Sequence, residues 1–261
     1  MSQQRYYTSQ LQAGLGLLEE TRQLLQVYQP GMSASQLYEA ALASGRFPLV
    51  TARRLRNIVV ECFAPRYMRA PYVAARLKSL VDHFTTAELN QLLFIYTARA
   101  NLVLADFVRE VYWARYSAGR NDLQLEDART FVTNSVREGK TQKPWSETTI
   151  KRISSYLMGC CADYGLLTTT GRNQRSIAAY RILPKVAAYL AYDLKFSGLG
   201  DNQIVSSSDW DLFGLERTDV RDQLKRLSLQ GLLIFQAASD VVHIGWTYKS
   251  MEELIDVIAQ S

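Results

Sequence analysis

The chain has 261 residues, 48% of them apolar and 21% charged, with a net charge of +5. That composition is globular and long enough for two or three small cores. Its three cysteines, Cys62, Cys160 and Cys161, form no disulfide framework, and no apolar run reaches the ~20 residues that cross a bilayer.

The predicted elements run as follows. Leu11, Leu15, Leu18, Leu25 and Tyr28 predict an amphipathic helix over 9–28, stopped by Pro30 and Gly31. Ser33 caps a second helix over 34–43, and Thr51 a third over 52–63, with Pro65 as its breaker. Thr85 or Thr86 opens a long helix from Ala87 to about Ser117, and 123–136 is helical again. Ser146 then caps a helix through Tyr164, closed by Gly165. Strands over 166–170 and 176–183 flank a polar turn, Gly171 to Arg175. Pro184 sits in the first turn of a helix reaching Leu194, and 196–208 is the best linker candidate. Beyond it the order helix, turn, helix, hairpin repeats, with strands over 232–236 and 241–246 and a closing helix over 251–259.

Charge is unevenly spread. Residues 46–78 hold eight basic residues and one acid, and residues 140–195 hold nine and three, for nets of +7 and +6. Residues 196–261 total −5. Two basic segments in an otherwise neutral-to-acidic chain point to a polyanion-facing side, although arginines spread over solvated helix faces give the same counts. Arg53, Arg54 and Arg56 fall in the first turns of a capped helix, followed by Arg66 and Arg69. Lys140 and Lys143 precede the helix begun by Ser146, Lys151 and Arg152 lie early in it, and Arg172 and Arg175 tip the hairpin. A loop, a helix start and a hairpin tip can face one duplex, with phosphate contact expected more than base reading. These eleven residues are the candidate DNA-binding set.

No catalytic site is legible. The two histidines, His83 and His243, are far apart, and no metal-ligand spacing occurs. Gly198-Leu199-Gly200 lacks the third glycine and preceding strand of a dinucleotide site, and Gly139-Lys140-Thr141 lacks the upstream glycine of a phosphate loop. The adjacent Cys160 and Cys161 read as packing residues. The expectation is no enzyme, no metal and no cofactor. The first residues lack the apolar core of a signal peptide, and the odd cysteine count suits a reducing compartment, so the expected location is the cytoplasm, with no membrane.

The run Ala13-Gly14-Leu15-Gly16-Leu17-Leu18-Glu19-Glu20-Thr21-Arg22, the segment Ala52-Arg53-Arg54-Leu55-Arg56-Asn57-Ile58 with Arg66-Tyr67, and the layout of the chain resemble the BrxA family. These are small accessory proteins of bacteriophage-exclusion (BREX) defence systems. The resemblance implies a helical DNA-binding protein containing winged helices and no catalysis of its own. It also implies work alongside a methyltransferase, an ATPase and a phosphatase-like protein.

The expected fold is mainly α with small β-hairpin wings. Residues 1–120 form a helical domain with a helix-turn-helix candidate, 121–195 a winged-helix module, and 196–261 a second such module. The expected function is binding of double-stranded DNA with low sequence specificity in phage defence. The alternative is a structural adaptor whose winged-helix modules bind other defence-system proteins. The acidic C-terminal module is expected to face protein.

Overall fold

Two glycines divide what the apolar pattern draws as one N-terminal helix. A 3₁₀ turn over Ser9–Ala13 ends at Gly14, and helix α1 (Leu18–Val27) starts only after Leu17, which sits in the left-handed region at φ 49°. Two glycines in three positions cost a helix about 1 kcal/mol each, and here the chain uses them to pass close to other elements. The computed structural model describes residues 6–14, 16–70, 72–170, 174–239 and 241–260.

Those residues fall into two compact units. Unit 1 comprises 1–81 and 93–180, and unit 2 comprises 82–92 and 181–261. This partition differs from the sequence-based division at 120/121 and 195/196: the first hairpin shares a unit with the N-terminal helices.

In unit 1, Ser33 caps helix α2 (Ala34–Ala43) through a reciprocal box with Gln36, and Thr51 caps helix α3 (Ala52–Asn57). Pro65 does not stop the helical path. A π stretch, Ile58–Phe63, leads into helix α4 (Ala64–Tyr67), where Pro65 occupies an initial position that needs no N–H donor. Helix α5 (Val73–Leu80) follows, a short element that the sequence pattern did not predict. The long helix expected over 87–117 is broken. Helix α6 (Thr86–Ala100), whose residues 86–92 belong to unit 2, ends at Asn101, which leaves helical geometry (φ −128°, ψ 87°) and donates its side-chain N–H to Thr97 O. Helix α7 (Leu102–Phe107), a π stretch and helix α8 (Trp113–Ser117) then continue at 112° to α6. Among the described residues no single helix is long and apolar enough to cross a membrane.

Helix α9 (Leu125–Arg137) packs on helix α10 (Glu147–Asp163). Ser146 caps α10, and Gly165 follows it in the left-handed region at φ 83°. Strands β1 (Leu167–Thr170) and β2 (Gln174–Ile177) form an antiparallel hairpin with Leu167 opposite Ile177. Residues 121–123 lie along the other edge of β2: Ile177 N–H donates to Asn121 O and Leu123 N–H to Arg175 O. The buried Tyr112 Oη lies 2.9 Å from Leu166 O and 2.8 Å from Ala178 O, bridging the hairpin base.

In unit 2, helix α11 (Pro184–Phe196) is buried along most of its length. The expected linker is instead ordered. Helix α12 (Asp201–Val205) buries Ile204 and Val205, and a 3₁₀ turn buries Trp210, whose indole N–H donates to Ile204 O at 2.8 Å. Helix α13 (Arg217–Leu229), strands β3 (Leu233–Ala238) and β4 (Val241–Trp246), and helix α14 (Met251–Gln260) complete it. Tyr192 Oη is its hub, donating to Leu232 O at 2.6 Å and accepting the N–H groups of Thr247 and Tyr248.

Candidate nucleic-acid interface

The first basic segment divides into inward and outward cations. Arg66 is only 6% exposed. Its guanidinium donates to Gly14 O at 3.0 Å and Gly16 O at 3.4 Å. Lys78 donates to Tyr28 O at 2.6 Å and Gln26 O at 3.0 Å, satisfying carbonyls at the end of α1. These two side chains hold the fold together, and Arg66 therefore leaves the candidate set. Arg53, Arg54, Arg56 and Arg69 are exposed. The spacing of α3 explains this: Leu55 is buried, and the residues on either side of it point to solvent.

The second basic segment divides in the same way. Lys143, in the loop before α10, is exposed, as are Lys151 and Arg152 in its first turns. On the opposite face Ile150, Ile153, Ser154 and Leu157 are buried. Lys140 is already served by two acids, Glu110 at 3.5 Å and Glu138 at 3.6 Å, so its charge is largely offset. Arg175 lies half-buried on β2 opposite Thr169, with one guanidinium nitrogen buried and without a hydrogen-bond partner among the described residues. It stands one residue pair from the strand end nearest the turn, since Thr170 opposite Gln174 is the last pair. Arg172, expected at the hairpin tip, lies outside the described residues.

A buried strap holds the helices that carry the exposed cations. Tyr7 N–H donates to Lys140 O, and its hydroxyl to Asp106 at 2.7 Å. Further on, Gly16 N–H donates to the Asp163 carboxylate at 2.9 Å, at the end of α10, while Arg66 of α4 grips the carbonyls on either side. The Tyr164 hydroxyl, 2.7 Å from Thr97 Oγ1 and 3.4 Å from Gly16 O, continues the network. A β-carbon at Gly16 would lie 2.8 Å from Asp163 Cβ, and one at Gly14 2.5 Å from Leu17 Cδ1. At Gly16 the absence of a side chain is therefore needed for the close approach to Asp163, whereas the Leu17 side chain could shift to make room at Gly14. Sequence reasoning missed this role of Arg66 and Asp163. The signal was the glycine pair interrupting a helical pattern.

Charge follows the units. Unit 1 carries 22 Lys/Arg against 12 Asp/Glu, a net of +10, and unit 2 carries 8 against 13, a net of −5. In unit 2 three of the four cations of α13 have local partners. Arg221 donates to Ser239 O at 2.7 Å, Lys225 pairs with Asp222 at 2.9 Å, and Arg217 reaches Asn202 at 3.5 Å.

Enclosed chemistry is sparse. A cleft of about 550 Å³ beside α9 contains Arg115 paired to Asp127 and Lys140 paired to Glu110. Among the described residues no three His, Cys, Asp or Glu side chains gather as metal ligands. All three cysteines are buried, and burial pushes the Cys160 thiol up to about 12, leaving it protonated at neutral pH.

The fold thus defines a mainly helical protein with two small antiparallel hairpins and one strongly basic unit. The BrxA family model matches residues 5–193, and the chain belongs to the BrxA family, which is associated with BREX phage defence. An uncharacterized protein from Magnetospirillum magneticum, known from its crystal structure, is similar in fold. It has a TM-score of 0.60 and 17% identity, over 74% of this chain and 95% of that one. No curated protein matches the chain.

Proposed function

We propose that this protein is a non-catalytic, duplex DNA-binding component of a BREX defence system, acting in the cytoplasm and binding with little sequence discrimination. The observation that carries the reading is a group of exposed candidate cations among the described residues of unit 1: Arg53, Arg54, Arg56 and Arg69 on one basic segment, Lys143, Lys151 and Arg152 on the other. Both α4 and α10 are tied to the same glycine strap, which supports a fixed spacing between the two groups. Such cations release counterions from the phosphate backbone, which makes binding strong at low salt and indifferent to sequence.

The element order supports a winged helix in unit 1. An edge segment at 121–123, two packed helices and a hairpin whose second strand pairs with that edge are the parts of such a module, with α10 in the position that enters the groove. The BREX methyltransferase, ATPase and phosphatase-like protein are the partners that family membership suggests. Unit 2 favours a protein-facing role, since it is acidic and exposes Leu229, Ile234 and Val241.

A gel-shift titration of the full chain with unrelated duplexes over a range of salt tests the reading. Micromolar or tighter binding at low salt that falls steeply with salt is expected. No binding at low salt, or affinity unchanged by salt, would overturn it.

A further inference from the structure

Leu49 is 97% exposed, more than any other large apolar residue among those described. It stands at the tip of a tight turn between α2 and α3, where Val50 N–H donates to Phe47 O at 3.1 Å. Pro48 restricts that turn from within, and Phe47, 8% exposed, anchors it in unit 1. The tip is thus a stiff apolar projection, Pro48 and Leu49, with a fixed base.

Its surroundings are cationic. Arg46 is exposed before it, with one guanidinium nitrogen 2.9 Å from Gln26 Oε1, and Arg53, Arg54 and Arg56 are exposed after it. An apolar tip among arginines is a poor match for a purely apolar protein groove, which would have to desolvate the guanidinium groups. It is a good match for the duplex minor groove, where a leucine or proline can enter between base pairs while flanking arginines reach phosphates.

We propose that Pro48 and Leu49 form a wedge that enters the minor groove, unstacks one base step and bends the duplex. The inference rests on the DNA-binding reading above and adds an activity to it: deformation of the bound DNA. Flexible pyrimidine–purine steps would be preferred, because they open at least cost. The protein would then favour sites by deformability while leaving base edges unread.

The test uses the full chain and a duplex with a central TA step, 2-aminopurine at that step and a donor–acceptor dye pair at the ends. The wild-type protein should raise the 2-aminopurine fluorescence and shorten the end-to-end distance. Leu49→Ala should lose both signals while weakening binding by less than about tenfold, with an unchanged salt slope because no charge is removed. Leu49→Phe, still apolar and large, should keep both. Binding by the wild type without either signal, or signals that persist in Leu49→Ala, would overturn the wedge and leave the DNA-binding reading standing. Absence of any DNA binding would remove both proposals. A fall in solution mass for Leu49→Ala without DNA would assign the tip to contact between copies of this chain and overturn the wedge.

Discussion

Arg66 and Lys151 have the same formal charge and opposite surroundings, and that difference decides which matters to stability. The Arg66 guanidinium is nearly enclosed and donates to Gly14 O and Gly16 O, so removing it leaves carbonyls buried without those donors. Arg66→Met should lower unfolding free energy by about 3 kcal/mol, read by urea denaturation, since hydrogen bonds from a buried charge are worth more than neutral ones. Arg66→Lys should recover part of it, because one ammonium has donors enough but lacks the planar fork. A normal unfolding curve with weakened DNA binding would instead place Arg66 at the phosphates. At Gly16 the opposing Asp163 Cβ leaves no room for a β-carbon, so the two residues are one feature: a glycine that allows the approach and an arginine that holds it.

At the scale of elements, α3 and α10 are the two that carry exposed cations into the proposed interface. Arg53→Glu with Arg54→Glu on α3, and Lys151→Glu with Arg152→Glu on α10, should each weaken duplex binding at least about tenfold without shifting the melting temperature, because all four side chains are exposed. Unchanged affinity in both variants, with the fold intact, would transfer the function to the adaptor reading. Both elements were legible in the sequence because their starts are local: Thr51 and Ser146 cap with their own hydroxyls, and Gly165 closes α10 with a positive φ. Apart from the glycine pair and Pro65, whose signals were local, the failures come from long-range packing. Nothing in the sequence around Asn101 separates a 112° break at a buried asparagine from an exposed helical one, because its burial is set by residues distant in the chain. The Gly/Ser-rich stretch read as a linker folds because Ile204, Val205 and Trp210 find a core. The inward turn of Arg66, Lys78 and Arg175 was likewise invisible, because sequence reports charge and not which way it faces.

At the scale of the whole molecule the net charge of +5 conceals a basic unit at +10 and an acidic one at −5. The family match ends at residue 193, so α12, α13, the second hairpin and α14 lie beyond it. Helix α13 resembles a reading helix in sequence, with Arg217, Arg221, Lys225 and Arg226, and it is the obvious rival to α10. Three of these cations, Arg217, Arg221 and Lys225, are engaged with Asn202, Ser239 and Asp222, and the helix stands in a unit of net negative charge that would repel phosphate. The salt dependence of binding separates the two. If each of the seven exposed candidate cations among the described residues of unit 1 met one phosphate, they would contribute about −6 to the slope of log K against log salt, at about −0.9 per contact. Lys151→Gln with Arg152→Gln should flatten the measured slope by about two. Lys225→Gln with Arg226→Gln, neutralising the same charge on α13, should leave both slope and affinity unchanged. If the α13 pair flattened the slope and the α10 pair did not, the reading head would lie in unit 2, and the basic charge of unit 1 would be a solvated surface.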